Sequence, residues 1–212
     1  MSGVNPERWS QLWQTATNTA PPTDTYARLM AMYSEPHRYY HNLLHIEDCL
    51  GEFDRAKQLA TDPAAVELAV WFHDAIYDPR AADNEERSAE LAMDWLRDVH
   101  ASDALTDSVG RLVLATKNHD ASVHDDAPLL VDVDLSILGR PPEQFWEYER
   151  QIREEYAWVE RTVFAAKRAE ILNRFLDHER IYQTELFFQR MEAQARANIR
   201  ASVQRLSDGL SS

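Results

Sequence analysis

The sequence predicts an all-α protein, and three observations lead to this fold class. Turn-forming residues are scarce, since the 212-residue chain has only 5 Gly and 9 Pro, about 7% of its residues against a usual level near 12%. That scarcity disfavours β-sandwiches and barrels, which need frequent turns. Apolar residues recur at helical spacing along almost the whole chain. The one segment that could be a strand, 129–131, is too short to pair without partners. We therefore expect a single domain of about eight to ten helices.

Residues that favour helix starts divide the first 120 positions into six predicted helices. The expected starts are Asn5-Pro6, Thr23, a position near Tyr40, Asp62-Pro63, Asp83 or Asn84, and Ser102. We expect the third helix to run as far as Ala60. Each start is followed by an apolar stripe, as after Pro63, where Ala65, Leu68, Ala69 and Phe72 are three or four residues apart or adjacent.

The last third of the chain is more charged but keeps the helical period. Residues 143–177 have the pattern of two helices with a break near 157–162, and residues 184–206 have the pattern of a final helix. No composition shift marks a second domain, so the whole of 1–212 is predicted to fold together.

The charge balance excludes some partners. With 22 basic and 36 acidic residues, the chain has a formal net charge of −14, which argues against long nucleic acids and against a polybasic membrane surface. The sequence has no run of about 18 apolar residues, so no segment is expected to span a membrane.

Cys49 is the only cysteine, so an intramolecular disulfide is excluded and a reducing compartment is favoured. The sequence predicts a cytoplasmic protein.

Histidine and aspartate residues form three clusters that could hold a metal ion. His41 and His45 are four residues apart, which places them on one helix face. His73 and Asp74 follow an apolar run that should be buried, where an ionised aspartate needs a charged partner or a metal. Two further carboxylates lie in the apolar segment 131–135.

Taken together, His45, His73, Asp74 and Asp134 would supply two imidazoles and two carboxylates. This set suits octahedral Mn²⁺, Fe²⁺ or Mg²⁺, or a Zn²⁺ ion with open positions. The alternative is that these four residues are polar groups at the core edge, joined by ordinary hydrogen bonds.

The order His45 … His73-Asp74 … Asp134 resembles the H…HD…D signature of the HD superfamily of metal-dependent phosphohydrolases. The segment 40–45, Tyr-His-Asn-Leu-Leu-His, is similar to the Y-H-N-x-x-H string of cyclic-nucleotide phosphodiesterases, which are distant members of that superfamily. The similarity implies that His41 is a proton donor and His45 a metal ligand. The Asp-Leu-Ser stretch at 134–136 resembles a D-L-S stretch of the same enzymes, which implies that Asp134 rather than Asp132 is the fourth ligand.

Nearly the whole chain is similar to small bacterial proteins described as predicted HD-superfamily metal-dependent hydrolases. The similarity rests on segments 71–78, 84–85, 88–89, 132–139 and 195–198. It implies a single HD-type helical domain, with a metal-site core at about 37–140 and C-terminal helices at 141–207 packing on it. The chain is much shorter than a cyclic-nucleotide phosphodiesterase catalytic domain.

The resemblance implies hydrolysis of a phosphoester by a water molecule that a divalent metal ion activates. The ion could be Mn, Mg, Fe, Zn, Ni or Co, and we expect one per chain. Asp74 would also orient the water, and His41 would protonate the leaving oxygen. The expected substrate is a small phosphorylated molecule, such as a nucleotide.

Five basic residues are candidates for binding the phosphate: Lys117, His119, Arg38, Arg153 and Arg168. All except Arg38 have an alternative. His119 could instead cap a helix or bind a second metal, Lys117 could be a solvated surface lysine, and Arg153 and Arg168 could form surface ion pairs. Glu85 could face the site or simply favour the first turn of a helix.

Two other functions remain open. One is an HD module that binds or senses a nucleotide without hydrolysing it. The other is a diiron oxygenase, for which His119 and His41 would have to supply additional ligands. The sequence leaves open whether the protein is a monomer or a homodimer.

Overall fold

The computed structural model describes residues 3–210, and this part of the chain contains ten α-helices, two 3₁₀ helices and no strand. The predicted all-α class and number of helices are confirmed. The α-helices are α1 (Pro6–Thr17), α2 (Thr25–Tyr33), α3 (Leu43–Ala56), α4 (Pro63–Phe72), α5 (Asn84–Asp98), α6 (Asp103–Asn118), α7 (Ala127–Asp134), α8 (Pro142–Glu155), α9 (Arg161–Asp177) and α10 (Glu185–Leu210). The backbone divides into two compact units, residues 1–134 and 135–212.

Helix α4 is the central element of the first unit. Every residue from Ala65 to Phe72 is buried, and the helix packs against α1, α3, α5, α6 and α7. A helix that is apolar on nearly all sides is stable only inside a core. Because α4 ends at Phe72, His73 and Asp74 lie directly at the C-terminal end of this central helix. His73 is still buried there.

Aromatic rings fix α1 against α4 in this unit. The Trp9 ring packs edge-on against the rings of Trp13 and Trp71, with centroid separations of 5.4 and 5.3 Å. Edge-to-face pairs of this kind contribute about 0.5–1.5 kcal/mol beyond the burial of their area. All three rings are at most 1% exposed.

Three predicted helix starts are confirmed by their side-chain caps. Asn5 Oδ1 accepts a hydrogen bond from the Arg8 backbone N–H at 2.8 Å. Asp62 Oδ1 accepts from two backbone N–H groups of the first turn of α4, at 3.1 and 3.0 Å. Ser102 Oγ accepts from the Leu105 N–H at 3.2 Å. Each cap satisfies donors that the helix itself leaves unpaired.

Three other predictions about local structure are wrong. Helix α2 begins at Thr25 and its N-cap is Asp24, not Thr23. Helix α3 begins at Leu43 rather than near Tyr40, because the Asn42 side chain caps it by accepting from the Leu44 N–H at 2.8 Å. It ends at Ala56 and continues as a 3₁₀ helix, Lys57–Leu59. In contrast, the conclusion that segment 129–131 does not form a paired strand is confirmed, because it is part of α7.

The second unit consists of a 3₁₀ helix, Leu135–Gly139, and helices α8 to α10. The predicted break between its first two α-helices is confirmed at residues 156–160, and α10 covers the predicted 184–206 segment. The 3₁₀ helix packs closely on α10, because a Cβ atom at Gly139 would lie only 2.5 Å from Met191 Cβ. No residue larger than glycine fits there without a shift of the backbone.

Within the described residues 3–210, no helix is both long enough and apolar enough to cross a membrane.

Candidate metal centre

Four side chains of the first unit converge at the end of α4. His45 comes from the first turns of α3, His73 and Asp74 follow α4 directly, and Asp134 is the last residue of α7. These are the four residues that the sequence proposed as ligands. His45 and His73 are buried, at 4% and 2% exposure.

The donor atoms of these four residues are closely spaced. The Nε2 atoms of His45 and His73 are 3.1 Å apart. Asp74 Oδ2 lies 3.5 Å from His45 Nε2 and 3.2 Å from His73 Nε2. Asp134 Oδ1 lies 3.3 and 3.5 Å from the same two nitrogens.

These separations are those expected of ligand atoms around one cation. Two atoms that each bind an ion at about 2.1 Å lie about 3.0 Å apart in octahedral and about 3.4 Å apart in tetrahedral coordination. Five of the six pairwise separations of these donors are between 3.1 and 3.5 Å. Two imidazoles and two carboxylates are also donors that a divalent metal accepts.

The ring of His73 is held in the orientation and tautomer that a metal ligand needs. Its Nδ1 lies 2.9 Å from the carbonyl oxygen of Val70. Because a carbonyl only accepts hydrogen bonds, Nδ1 carries the proton, and in the neutral ring the lone pair of Nε2 faces the other donors. Hydrogen bonds from a ligating histidine to a backbone carbonyl are usual at metal sites.

The electrostatics of the centre also require a positive charge. Burial favours the neutral forms, yet the pKa of His73 is raised well above 6.5, because Asp74 and Asp134 stabilise the imidazolium. Burial would raise the pKa of Asp74, but the charges of His73 and His41 lower it overall. The pKa of Asp134 is also well below its usual range, through hydrogen bonds from His119, His45 and His73 that outweigh burial. In the protein alone a proton supplies the counter-charge, and a metal ion would replace it.

Cys49 is a potential metal-binding residue that the sequence prediction missed. It is four residues after His45 on α3, and its Sγ lies within 4.8 Å of donor atoms of His45, His73 and Asp134. However, Sγ is 3.7 Å from both ring nitrogens of His45, so it lies beside the ring rather than in the direction of Nε2. The spacing of four residues from His45 was the signal available in the sequence.

His41 is close to this centre, but not for the reason predicted. It precedes the N-cap of α3, so it does not share a helix face with His45. Its ring instead stacks on Tyr77 with a centroid separation of 4.3 Å and lies 6.0 Å from the ring of His45. Its charge contributes to the low pKa of Asp74.

Arg38 has a different position from the one predicted for a phosphate-binding residue. Its side chain is 1% exposed. Its guanidinium donates to the carbonyl oxygens of His41, Asp74 and Ala75 at 3.1, 2.6 and 2.8 Å, and to Glu35 at 2.9 Å. The prediction that Arg38 binds substrate is therefore corrected, because the protein backbone takes up this guanidinium. Arg38 holds the segment before α3 against the segment after α4.

His119 and Lys117 have different environments at the end of α6. His119 caps the helix in the left-handed conformation, with φ 52°, which is uncommon for a residue other than glycine. This conformation brings its Nε2 to 3.6 Å from Asp134 Oδ2. Lys117 forms an ion pair with Glu86 and donates to the Ala82 carbonyl at 2.8 Å, as the surface alternative predicted.

Glu85 lies at the edge of the centre. It is the second residue of α5, and burial raises its pKa, with a further increase from the charge of Asp74. Asp132, the other carboxylate of segment 131–135, is fully buried.

The two remaining arginine candidates belong to the second unit. Arg153 donates to the carbonyl oxygens of Tyr156 and Val159 at 2.6 and 3.0 Å, beyond the end of α8. Arg168 is buried against Glu149 and Tyr148. The ion-pair alternative is confirmed for Arg168 with Glu149, although this pair is buried and not at the surface.

The chain was compared with known protein families, with curated proteins and with solved structures, and none of them matches. The functional conclusion therefore depends on the geometry and chemistry of the centre.

Proposed function

We propose that the protein is a metal-dependent phosphohydrolase with His45, His73, Asp74 and Asp134 as its metal ligands. The observation that carries the proposal is the convergence of these four donors, from three helices, to separations of 3.1–3.5 Å. The motif similarity to the HD superfamily supports the choice of reaction. Two half-buried carboxylates beside two buried imidazoles are costly for a fold that does not use them.

A divalent ion at this centre would lower the pKa of a bound water molecule and polarise a phosphoryl oxygen. The protein holds the donors for that ion in place before it binds. The Val70 carbonyl fixes the His73 ring, and Arg38 fixes the backbone of Asp74. This preorganisation reduces the cost of assembling the site when the ion and the substrate bind.

Proton transfer is assigned to residues around the ligands. Asp74 offers its second carboxylate oxygen as a hydrogen-bond acceptor that orients the attacking water. His41 is the proposed proton donor to the leaving oxygen, held by its stacking on Tyr77. General acid catalysis of this kind contributes about 10²–10⁴ in rate. His119, beside Asp134, is placed to bind a phosphoryl oxygen.

The proposed substrate is a small phosphorylated metabolite, with a nucleotide as the leading class, and the proposed compartment is the cytoplasm. The cluster is acidic apart from its histidines, so the metal ion has to supply the positive field that attracts the phosphate. The only cysteine, Cys49, is a buried thiol that forms no disulfide, which agrees with a reducing compartment.

The proposal is tested by metal analysis combined with turnover. Protein stripped with EDTA is reloaded with Mn²⁺, the bound metal is measured by inductively coupled plasma mass spectrometry, and hydrolysis of p-nitrophenyl phosphate and bis(p-nitrophenyl) phosphate is followed. We expect one ion per chain and release of nitrophenol. His73→Ala and Asp74→Asn should lose both the metal and the activity.

His178→Ala is the matched control, because this exposed histidine follows α9 in the second unit. It should keep both properties, and circular dichroism should show unchanged helix content in all three variants. Equal metal content and activity in His73→Ala and the unmodified protein would refute the proposal. Full metal content without hydrolysis of any phosphoester tested would favour a module that binds nucleotides without cleaving them.

A further inference from the structure

The second unit contains a cavity of about 620 Å³ that the proposed phosphohydrolase reaction does not use. It lies between α8, the first turn of α9 and the C-terminal half of α10. Four arginines line it, Arg150, Arg153, Arg161 and Arg205, and the acidic residues in its wall are Glu149 and Glu154. We call it the arginine pocket. Its volume is within the range of about 300–1,000 Å³ that is usual for small-molecule sites.

One of the two acids of the arginine pocket is already neutralised from behind the wall. Glu149 Oε1 accepts two hydrogen bonds from the buried guanidinium of Arg168, at 2.5 and 3.1 Å. Its other oxygen accepts from Ser202 at 2.9 Å. Arg168 is not among the residues that line the pocket. Glu149 therefore subtracts little from the positive charge inside it.

Three of the four arginines, all except Arg150, form no ion pair with a carboxylate of residues 3–208. Neither Arg161 nor Arg205 forms an ion pair with an acidic side chain of residues 3–208, and both are exposed. Arg205 lies over the Trp146 ring, 5.2 Å from its centroid. Arg161 is the first residue of α9, where the helix dipole disfavours a positive charge. The Glu160 carboxylate caps this helix end by accepting from the backbone N–H groups of Thr162 and Val163, at 2.9 and 3.1 Å.

The other two arginines are held in fixed orientations. Arg153 is fastened to two backbone carbonyls and lies over the Phe164 ring at 4.7 Å. Arg150 is bound to Glu147, at 2.6 and 2.9 Å. Guanidinium groups that are already ordered lose less entropy when they bind an oxyanion, and their planar fork matches phosphate geometry.

We propose that the arginine pocket is a binding site for a small, multiply charged oxyanion of the organic or inorganic phosphate class. Charge complementarity carries the proposal. Arg168 pairs with Glu149 and Arg150 with Glu147 and Glu154, whereas the guanidinium groups of Arg153, Arg161 and Arg205 have no carboxylate partner among residues 3–208. Guanidinium–phosphate hydrogen bonds are among the strongest that side chains make. This inference does not depend on the metal centre or on the proposed hydrolysis.

The test uses the full-length protein after EDTA treatment, with pyrophosphate as the probe in isothermal titration calorimetry at low salt. We expect saturable binding with a Kd below about 1 mM, weakened by added salt. The double variant Arg161→Gln/Arg205→Gln should lose at least about tenfold in affinity. Both substitutions are at exposed side chains, so the fold should be retained.

Arg174→Gln is the matched control, because Arg174 is an exposed arginine of α9 that is not part of the pocket wall. It should bind pyrophosphate within about twofold of the unmodified protein. The proposal is overturned if the double variant binds pyrophosphate as tightly as the unmodified protein does. It is also overturned if the unmodified protein shows no binding at about 1 mM pyrophosphate. Loss of binding in His45→Ala, with retention in the double variant, would assign the anion to the metal centre and also overturn it.

Discussion

The two units of the chain differ in net charge, and their polar clusters would fit ligands of opposite charge. Residues 1–134 contain 10 basic and 24 acidic residues, whereas residues 135–212 contain 12 of each. The net charge of −14 therefore lies entirely in the first unit. The first unit contains the candidate metal centre, and the neutral second unit contains the arginine pocket.

This difference shows that net charge is a poor guide to what a protein of this kind binds. A value of −14 for the whole chain argues against long polyanions, but it does not describe the field inside a particular cavity. Half-buried carboxylates beside imidazoles would select a cation, and ordered guanidinium groups would select an anion. Both occur in the same chain because each depends on a few side chains positioned by their own helices.

The largest effect is expected from removing the buried arginine of the second unit. Arg168→Met leaves Glu149 buried without its cationic partner, which typically costs about 3–5 kcal/mol of the free energy of unfolding. It should also weaken pyrophosphate binding, because the charge of Glu149 would then act on the arginine pocket. Urea denaturation followed by circular dichroism measures the first effect and calorimetry the second.

Arg174→Met is the control on the same helix. Its guanidinium is paired with Glu170 at the surface, with 69% of its side chain exposed, so the free energy of unfolding should change by no more than about 0.5 kcal/mol. Equal losses in the two variants would contradict the assignment of Arg168 as the residue that neutralises Glu149.

The next largest effect is expected from replacing Arg38, the buried arginine of the first unit, which donates to three backbone carbonyls. Arg38→Met would leave the carbonyls of Asp74 and Ala75 without their donor, at about 1–3 kcal/mol for each group left unsatisfied. It should also lower Mn²⁺ affinity about 10–100-fold, as is usual when the support of a metal ligand is removed.

Arg38→Lys tests whether charge alone is sufficient. A single ammonium cannot reach three carbonyls in the geometry of the guanidinium fork, so this variant should recover less than half of the lost stability. Arg97→Met, which removes an exposed arginine on α5, is the control and should leave Mn²⁺ affinity unchanged. Mn²⁺ affinity as high in Arg38→Met as in the unmodified protein would return this arginine to the residues that could bind substrate.

Local chemistry explains which parts of the fold could be predicted. The starts at Asn5, Asp62 and Ser102 were predicted correctly because a capping side chain acts within three residues of itself. The start of α3 was placed too early because the apolar and histidine spacing continues across the cap, Asn42. An alternating or periodic pattern does not by itself show where a helix begins.

The sequence predicted the four candidate ligands of the metal centre, because they follow a motif. The spacing of His45, His73-Asp74 and Asp134 was visible in the sequence, and the structure brings these residues together. The bonds from Arg38 to Asp74 and Ala75 join residues 36 and 37 positions apart, and no local pattern indicates such contacts. The left-handed conformation that turns His119 towards Asp134 is also set by tertiary packing.

The smallest effect expected is a pH dependence that separates the two sites. In the metal-free protein the pKa of His73 is raised well above 6.5, since the attraction of Asp74 and Asp134 exceeds the effect of burial. A folded-state pKa above the unfolded value stabilises the metal-free protein at low pH, and this stabilisation is lost as the pH rises through the folded pKa. A metal ion must displace the same proton, so Mn²⁺ affinity should fall about tenfold for each unit of pH below that pKa.

The carboxylates do not add to this dependence near neutral pH, because the pKa values of Asp74 and Asp134 are lowered and both stay ionised. Arginine stays protonated throughout this range, so the affinity of the arginine pocket for sulfate, which does not titrate, should be constant. Calorimetric titrations at about pH 6, 7 and 8, on either side of the usual histidine pKa of about 6.5, measure the affinity for Mn²⁺ and the affinity for sulfate. A flat Mn²⁺ profile would mean that no proton leaves His73 when the ion binds. A sulfate affinity that rises as the pH falls, opposite to that of Mn²⁺, would mean that a protonated histidine, and not the arginines, binds the anion.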